Sequence, residues 1–409
     1  MGGTVAELSA TAMMGVLRRE RFMAVFRSWR RFGLGWAAGL LLLGVLPALI
    51  GCDNFFTPNT NSGGNGSVTV GGSGSNYVYV VNAATQTVSG FLVGAGALTL
   101  TPSSPYALGF LPQSAVVTRY NKFLYVAGPG ALYRFAINSD GSLSTSAQAA
   151  GVAIGSELSL AVSPDGQWLF GLNSQGATVD EWQINSSTGA LTVMQGATYT
   201  VTDATPVPLM VRVSPVGNYV FVALGTGGDE VFTLNTSTGA IAASQHLSPA
   251  SIRTSDNSLV TDPTGSMLYI ARSGDIGGLG VYTIGAAGLL TSISGSPFAT
   301  GQGTFDVAVD NAGKYVYAAN RQDGTISGFS IGTGGTLTAL SGSPYASGSL
   351  PTSLVAERSG SYLLAVAAGG SPDVTLYSFD ATVGGKLNTA AKVASGASPA
   401  GSTLVATTH

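Results

Sequence analysis

Seven short apolar segments recur along this chain, each ending in an aromatic residue or leucine flanked by β-forming residues. Their anchors are Tyr79, Tyr125, Phe170, Phe221, Tyr269, Tyr317 and Leu364, spaced 46, 45, 51, 48, 48 and 47 residues apart. A period of this length constrains the fold more than any local motif, because each unit must bury its apolar face against a copy of itself. The sixth unit is the clearest. Phe305–Val309 reads as a first strand, Tyr315–Ala319 as a second, Ile326–Ile331 as a third and Gly335–Leu340 as a fourth. Four short strands per unit, parted by Gly, Asn and Asp turns, predict the blade of a β-propeller. The 58 glycines interrupt every run before two helical turns could form, which excludes an all-helical repeat. A β-sandwich does not require the sevenfold self-similarity, and a β-helix has shorter coils. The fold class is therefore all-β: a seven-bladed propeller with four strands per blade.

The chain ends predict how the ring closes. The first unit opens at a second-strand segment, Tyr77-Val78-Tyr79-Val80-Val81, with no first strand before it. The final segment, Pro399 to Ala406, matches the first strand of the seventh unit, Pro351 to Ala356. Pairing the orphan strand with the vacancy satisfies two sheet edges at once. The C-terminal strand is thus expected to complete the first blade.

The segment before the ring has a different character. Arg18, Arg19, Arg21, Arg27, Arg30 and Arg31 precede an apolar run from Gly33 to Leu46, the pattern of an export signal. Leu49-Ile50-Gly51-Cys52 resembles a bacterial lipobox, with Cys52 as the lipidated residue, and Cys52 is the only cysteine in the chain. A free thiol beside a plain membrane anchor is the alternative, and Arg30-Arg31 is a poor fit to a twin-arginine signal. Asp53 to Ser75 is rich in Asn, Gly and Ser and reads as a flexible tether with a reach of roughly 25 Å. The expected organisation is a signal peptide over 1–51, a lipidated tether over 52–75 and the propeller over 76–409. It places the ring outside the cytoplasm in the cell envelope, held to a membrane by its lipid anchor.

Composition narrows the chemistry. Six of the 17 Lys and Arg and two of the 20 Asp and Glu lie in residues 1–52, leaving eleven against eighteen and a net charge of −7 for the remainder. Without basic clusters, a nucleic-acid partner is not expected. One cysteine and two histidines exclude a thiol–imidazole nucleophile and a zinc site of the usual ligands, so no metal and no cofactor is expected. No GxSxG elbow occurs. Gly225-Thr226-Gly227-Gly228 and Asn138-Ser139-Asp140-Gly141 read as blade turns. His246 is expected on an exposed outer rim, and His409 as a cap on the closing strand.

Ligands of propellers sit over the central channel, on the face formed by loops before first strands and after second strands. The repeat register places Gln113, Glu157, Arg253, Asp256, Gln302 and Asp306 before first strands. Asn82, Asn173, Gln175, Arg272, Asp275, Asn320, Arg321 and Asp323 follow second strands. The charged members concentrate in blades 5 and 6, making Arg253, Asp256, Arg272, Asp275, Asp306, Arg321 and Asp323 the candidate ligand-binding residues. The competing reading is a set of solvated turn residues and inter-blade ion pairs.

The repeat text resembles a known family. Val307-Ala308-Val309-Asp310-x-x-Gly313-Lys314-Tyr315-Val316-Tyr317-Ala318-Ala319-Asn320, Gly335-Thr336-Leu337-Thr338 and the element Ser-Pro-aromatic at Ser104-Pro105-Tyr106, Ser296-Pro297-Phe298 and Ser343-Pro344-Tyr345 are similar to the lactonase-family seven-bladed propellers, which include 6-phosphogluconolactonase-like enzymes. The likeness spans about Asn76 to His409. It implies histidine, arginine and glutamate over the channel, yet the corresponding positions here hold Glu157-Leu158, Asn257-Ser258 and Arg272-Ser273. No catalytic residue carries over. Three functions follow as expectations: a binding propeller for a small anionic or sugar-derived ligand or a protein partner; a sugar-lactone hydrolase with Glu157 or Asp256 activating water and an arginine such as Arg272 at the oxyanion; and a cell-surface assembly or adhesion scaffold.

Overall fold

The structure is a computed structural model that describes residues 76–144, 149–175, 178–198, 206–396 and 402–409. The expected signal peptide, Cys52 and the expected tether lie outside the described residues.

Seven antiparallel sheets follow one another along the chain. Blade 1 combines Tyr77–Asn82, Thr87–Gly94 and Ala97–Leu100 with the C-terminal strand Ser402–Thr407. In that pairing Val78 faces Thr407, Tyr79 faces Ala406 and Asn82 faces Ser402, so the expected closure is present. Blades 2 to 7 begin with the first strands Ser114–Val117, Glu157–Val162, Met210–Val213, Thr254–Thr261, Thr304–Val309 and Pro351–Ala356. Each first strand contacts the next around the ring, and Ser402–Thr407 touches the first strands of both blade 7 and blade 2. These are the innermost strands. The fourth strand of blade 6, Leu337–Ala339, is shorter than the sequence suggests, because a tight turn occupies Thr333–Gly335.

Packing explains why the strands are apolar on both sides. Seven hydrophobic clusters occur among the described residues, and each joins two neighbouring blades. The cluster of Val78, Val80 and Phe91 with Leu364, Val366 and Leu376 is the seam between blades 1 and 7. Six of the seven repeat anchors are aromatic, and all seven are essentially buried.

Two sequence motifs acquire a mechanical role. In the Ser-Pro-aromatic element the serine hydroxyl accepts the N–H of the third-strand residue opposite the anchor: Gly90 to Ser104 at 2.9 Å, Val281 to Ser296 at 2.8 Å and Gly328 to Ser343 at 2.9 Å. The aromatic then returns to pair with the start of that strand. In the turn after the first strand, an acidic side chain gathers two backbone N–H groups. Asp310 Oδ1 takes those of Lys314 and Tyr315, and Asp262 Oδ1 those of Ser266 and Met267.

At three seams the turn between third and fourth strands is bolted to the blade before it. Tyr79 donates to Gly141 O at 2.9 Å, Tyr125 to Gly189 O at 2.8 Å and Tyr317 to Gly385 O at 2.6 Å. In blade 4 this glycine, Gly239, has φ 80, and a Cβ there would lie 2.4 Å from the Trp168 ring. Only glycine fits both the left-handed backbone and the approach of the indole.

Asn82 and the starts of the first strands define an upper face. Asn76 and His409 both lie at the other end of blade 1, on the lower face, as the register of the closing pair requires. His409 caps the closure: its N–H donates to Asn121 at 2.7 Å, and its ring Nε2 meets Val117 O at 3.1 Å.

Candidate functional site

The upper ends of blades 3 to 6 carry a line of acidic groups within an apolar ring. Glu157 opens the first strand of blade 3, opposite Asn173 at a β-bulge that turns it inward. It is fully buried. Gly171 provides the room, since a Cβ at that position would come within 2.7 Å of Glu157 Oε2. Its carboxyl neighbours that of Asp180 on the third strand; Asp180 in turn accepts from Thr178 at 3.0 Å and Asn173 at 3.3 Å. Burial, and then the charge of the neighbouring Asp180, push the Glu157 pKa up to about 9. Glu157 therefore carries a proton at neutral pH. Glu181, next along the strand, is raised to about 7 chiefly by burial.

The seam between blades 4 and 5 holds the second group. The loop after the second strand of blade 4 pairs with the start of blade 5 through mutual Gly225–Asp256 backbone bonds of 3.2 and 3.1 Å. This brings Asp229 against Asp256. Asp256 is clamped by Arg272 through Nε–Oδ1 at 2.5 Å and Nη2–Oδ2 at 2.8 Å, and Arg272 also donates to Tyr282 at 3.2 Å. Asp256 and Arg272 are 1% and 5% exposed, so their charges face each other and not solvent. Burial alone would lower the Arg272 pKa; Asp256 reverses this and holds the guanidinium charged. Asp229 is driven well up by burial and then by the adjacent Asp256.

Asp306 completes the line in blade 6. Its Oδ1 accepts from Ser258 of blade 5 at 2.5 Å and its Oδ2 from the Leu354 N–H of blade 7 at 2.7 Å. One carboxyl thus ties three inner strands together.

The seven candidate residues divide into two sets. Asp256, Arg272 and Asp306 are buried and bonded to the fold. Arg253, Asp275 and Asp323 are exposed on the upper loops, where Asp323 Oδ2 accepts the Gln302 N–H at 2.7 Å. Arg321 is half-buried, with its guanidinium 4.7 Å from the Phe305 ring centroid. Arg272 and Asp256 come together, but the exposed charges do not join them in one cluster of direct contacts.

His246 departs from expectation. It is half-buried, and its Nδ1 lies 3.0 Å from Glu230, directly opposite on the neighbouring strand. The exposed-rim reading fails because the fourth strand of blade 4 extends to Leu247 and carries His246 alongside the buried acid. Asp180, Glu181, Asp229 and Glu230 were absent from the sequence-based set. The signal for them lies in the third strands: Asp180 and Glu230 occupy the register position that holds Ser89 in blade 1 and Ser327 in blade 6. A groove of about 370 Å³ lined by Gln183, Ile184, Asn185, Ser186, Ser187 and Thr192 lies at the opposite end of the blade 3 strands, away from these groups.

The family described as "Lactonase, 7-bladed beta-propeller" matches residues 81–401. The chain belongs to the lactonase family. Among solved structures, a candidate 6-phosphogluconolactonase of Bacteroides uniformis shares 18% identity at a TM-score of 0.67, covering 81% of this chain and 99% of its own. A second, from Bacteroides fragilis, shares 20% identity at a TM-score of 0.63, with 81% and 98% covered. The periplasmic gluconolactonase PpgL of Pseudomonas aeruginosa shares 15% identity at a TM-score of 0.61, with 82% and 99% covered. At these identities the likeness establishes the fold. No curated protein sequence matches significantly.

For a lactonase-family ring with these buried acids, stability is pH-dependent. A carboxyl whose folded pKa exceeds its unfolded value holds a proton that the unfolded chain has released, so its contribution is complete below the unfolded pKa and is lost as pH rises through the folded one. For Glu157 that window runs from about 4.5 to about 9. The melting temperature of the wild type is expected to fall across this range. Glu157→Gln, which keeps the shape without the titration, should flatten the fall by up to about 1.4 kcal/mol per pH unit. Parallel slopes in melting curves of the two proteins would contradict the assignment.

Proposed function

We propose that this lactonase-family propeller is an extracytoplasmic, lipid-tethered binding protein and that it does not hydrolyse lactones by the family's route. The observation that carries this reading is the burial of its ionisable groups. At the channel strings where the family resemblance implies Pro-His, Arg-His and Asn-Glu, the chain has Glu157-Leu158, Asn257-Ser258 and Arg272-Ser273. Glu157 is fully buried beside Asp180, and Arg272 is locked to Asp256. Asn257 donates to Ser273 at 2.9 Å and to Thr304 O at 2.8 Å. General acid–base catalysis needs a group within hydrogen-bond reach of the substrate, and these side chains face inward. Arg253, Asp275 and Asp323 are left as the solvent-facing charges of the upper loops, suited to a small anionic or sugar-derived ligand or a protein partner.

Tethering through Cys52 rests on the lipobox-like Leu49-Ile50-Gly51-Cys52 after the apolar run. Cys52→Ser should move the protein from the membrane to the soluble fraction. Retention of the variant on membranes through an uncleaved helix would overturn lipidation.

A second reading, sugar-lactone hydrolysis, is favoured by family membership and by the raised pKa of Glu157, which suits a proton-transferring group once exposed. Turnover of lactone substrates separates the two.

A further inference from the structure

We infer that the lower face of the ring is a docking surface for an anionic lipid bilayer. The turns between first and second strands surround the lower mouth of the channel. Blade 6 contributes Lys314 to this rim, blade 7 Arg358, blade 1 the closing residue His409, and blade 2 Arg119 and Lys122. The arc is contiguous: Asn311 donates to Glu357 O at 2.9 Å and Arg358 O at 3.0 Å, joining the turns of blades 6 and 7. His409 is bonded to Asn121 and Val117 of blade 2. Arg119 and Arg358 both lie near enough to His409 that their charges, after burial, depress the imidazole pKa. Six Lys and Arg are exposed among the described residues, and four of them are on this rim.

Tyr120, 62% exposed, stands in the same turn as Arg119 and Lys122, an amphipathic ring beside the cations. Such a mixture suits the headgroup boundary, where basic residues meet anionic lipid and an aromatic ring spans the polar–apolar transition. Asp165 lies in the blade 3 turn, to which Arg119 donates at Pro164 O. Asp310 and Glu357 in the arc's own turns, and Asp262 in the adjoining blade 5 turn, are buried and bonded to backbone N–H groups. The upper face has no comparable arc, since Arg253 there is accompanied by Asp275 and Asp323.

The bilayer is favoured as occupant by where the remaining chain begins. Residues 1–75, with the apolar run and Cys52, join the ring at Asn76 on this lower face, where Asn76 donates to the Glu357 carboxylate. An anchor joining there presents the basic arc to the membrane and leaves the upper loops pointing away from it. This inference rests on the proposed tethering for its geometry. It adds a second, salt-sensitive contact, of the kind that converts one hydrophobic attachment into stable binding.

The test uses the protein purified with its anchor and reconstituted in vesicles of phosphatidylcholine, alone or with about one third phosphatidylglycerol. Backbone hydrogen exchange is followed in the turns 118–122, 310–314 and 357–361. Exchange there should slow at least about threefold in the anionic vesicles. High salt and the combined variant Arg119→Gln, Lys314→Gln, Arg358→Gln should each abolish the slowing. Because all three side chains are exposed, the variant should keep the wild-type melting temperature. Equal exchange in the two lipids, or slowing confined to the upper loops, would overturn the docking surface. Flotation with neutral vesicles reports the tether separately. A protein that floats only with the anionic ones supports the basic arc and contradicts the anchor.

Discussion

Removing Ser402–His409 should lower the melting temperature by roughly 10 °C or more. The deleted strand supplies the entire inner ladder of blade 1, from the Val78–Thr407 pair to Asn82–Ser402. The Thr408–Tyr77 and His409–Asn121 bonds go with it. Each net backbone hydrogen bond contributes on the order of 1 kcal/mol, so the ladder alone accounts for on the order of 5 kcal/mol. Two further costs add to this. The freed edge of Tyr77–Asn82 becomes a template for pairing with another chain, and the first strands of blades 2 and 7 lose the neighbour between them. Aggregation on mild heating is therefore expected alongside the lower midpoint. An unchanged melting curve would show that the ring does not depend on its closing strand.

Arg272→Ala is the second large effect. A surface arginine in a loop would cost within about 0.5 kcal/mol on truncation, and Arg253→Ala serves as that control. Arg272 differs because its partner is buried. Its loss leaves Asp256 without its counter-charge and beside Asp229, and breaking a buried pair in this way costs about 3–5 kcal/mol. Thermal or urea unfolding should show this drop for Arg272→Ala and almost none for Arg253→Ala. Replacing the pair together, with Asp256→Asn and Arg272→Met, should recover part of the loss, because the stranded charge is then gone. Equal small effects for the two arginines would return Arg272 to the set of solvent-facing ligand candidates.

Much of this fold was legible in the sequence because every level repeats the same instruction. Anchor spacing, turn residues and the unmatched segments at the two ends all specify one ring. The site was legible only in outline. The repeat register puts Asp256 and Arg272 in the loops flanking the blade 5 strands, whereas they lie within Thr254–Thr261 and Met267–Gly274, paired beside the bulge between Asp256 and Ser258. A bulge shifts the register by one residue and reverses which side chains point inward. Glu157 sits beside a similar bulge, between Leu172 and Asn173 on the paired strand. The exposure of His246 was misjudged because burial depends on how far its strand continues, which the apolar pattern does not encode at Ser244-Gln245-His246. Asp180 and Glu230 of blades 3 and 4 left a trace, as charged residues in a position that is serine in blades 1 and 6. Only the register makes that trace interpretable.

The account's central claim is that the ionisable groups at the channel positions are buried within the fold and do not turn over substrate. The most direct test is hydrolysis of a panel of sugar lactones by the purified protein, followed as acid release against buffer. Release at the buffer rate is predicted for the wild type and for Glu157→Gln alike. Release faster than buffer, abolished in a Glu157→Gln variant that melts no lower than wild type at neutral pH, would contradict it.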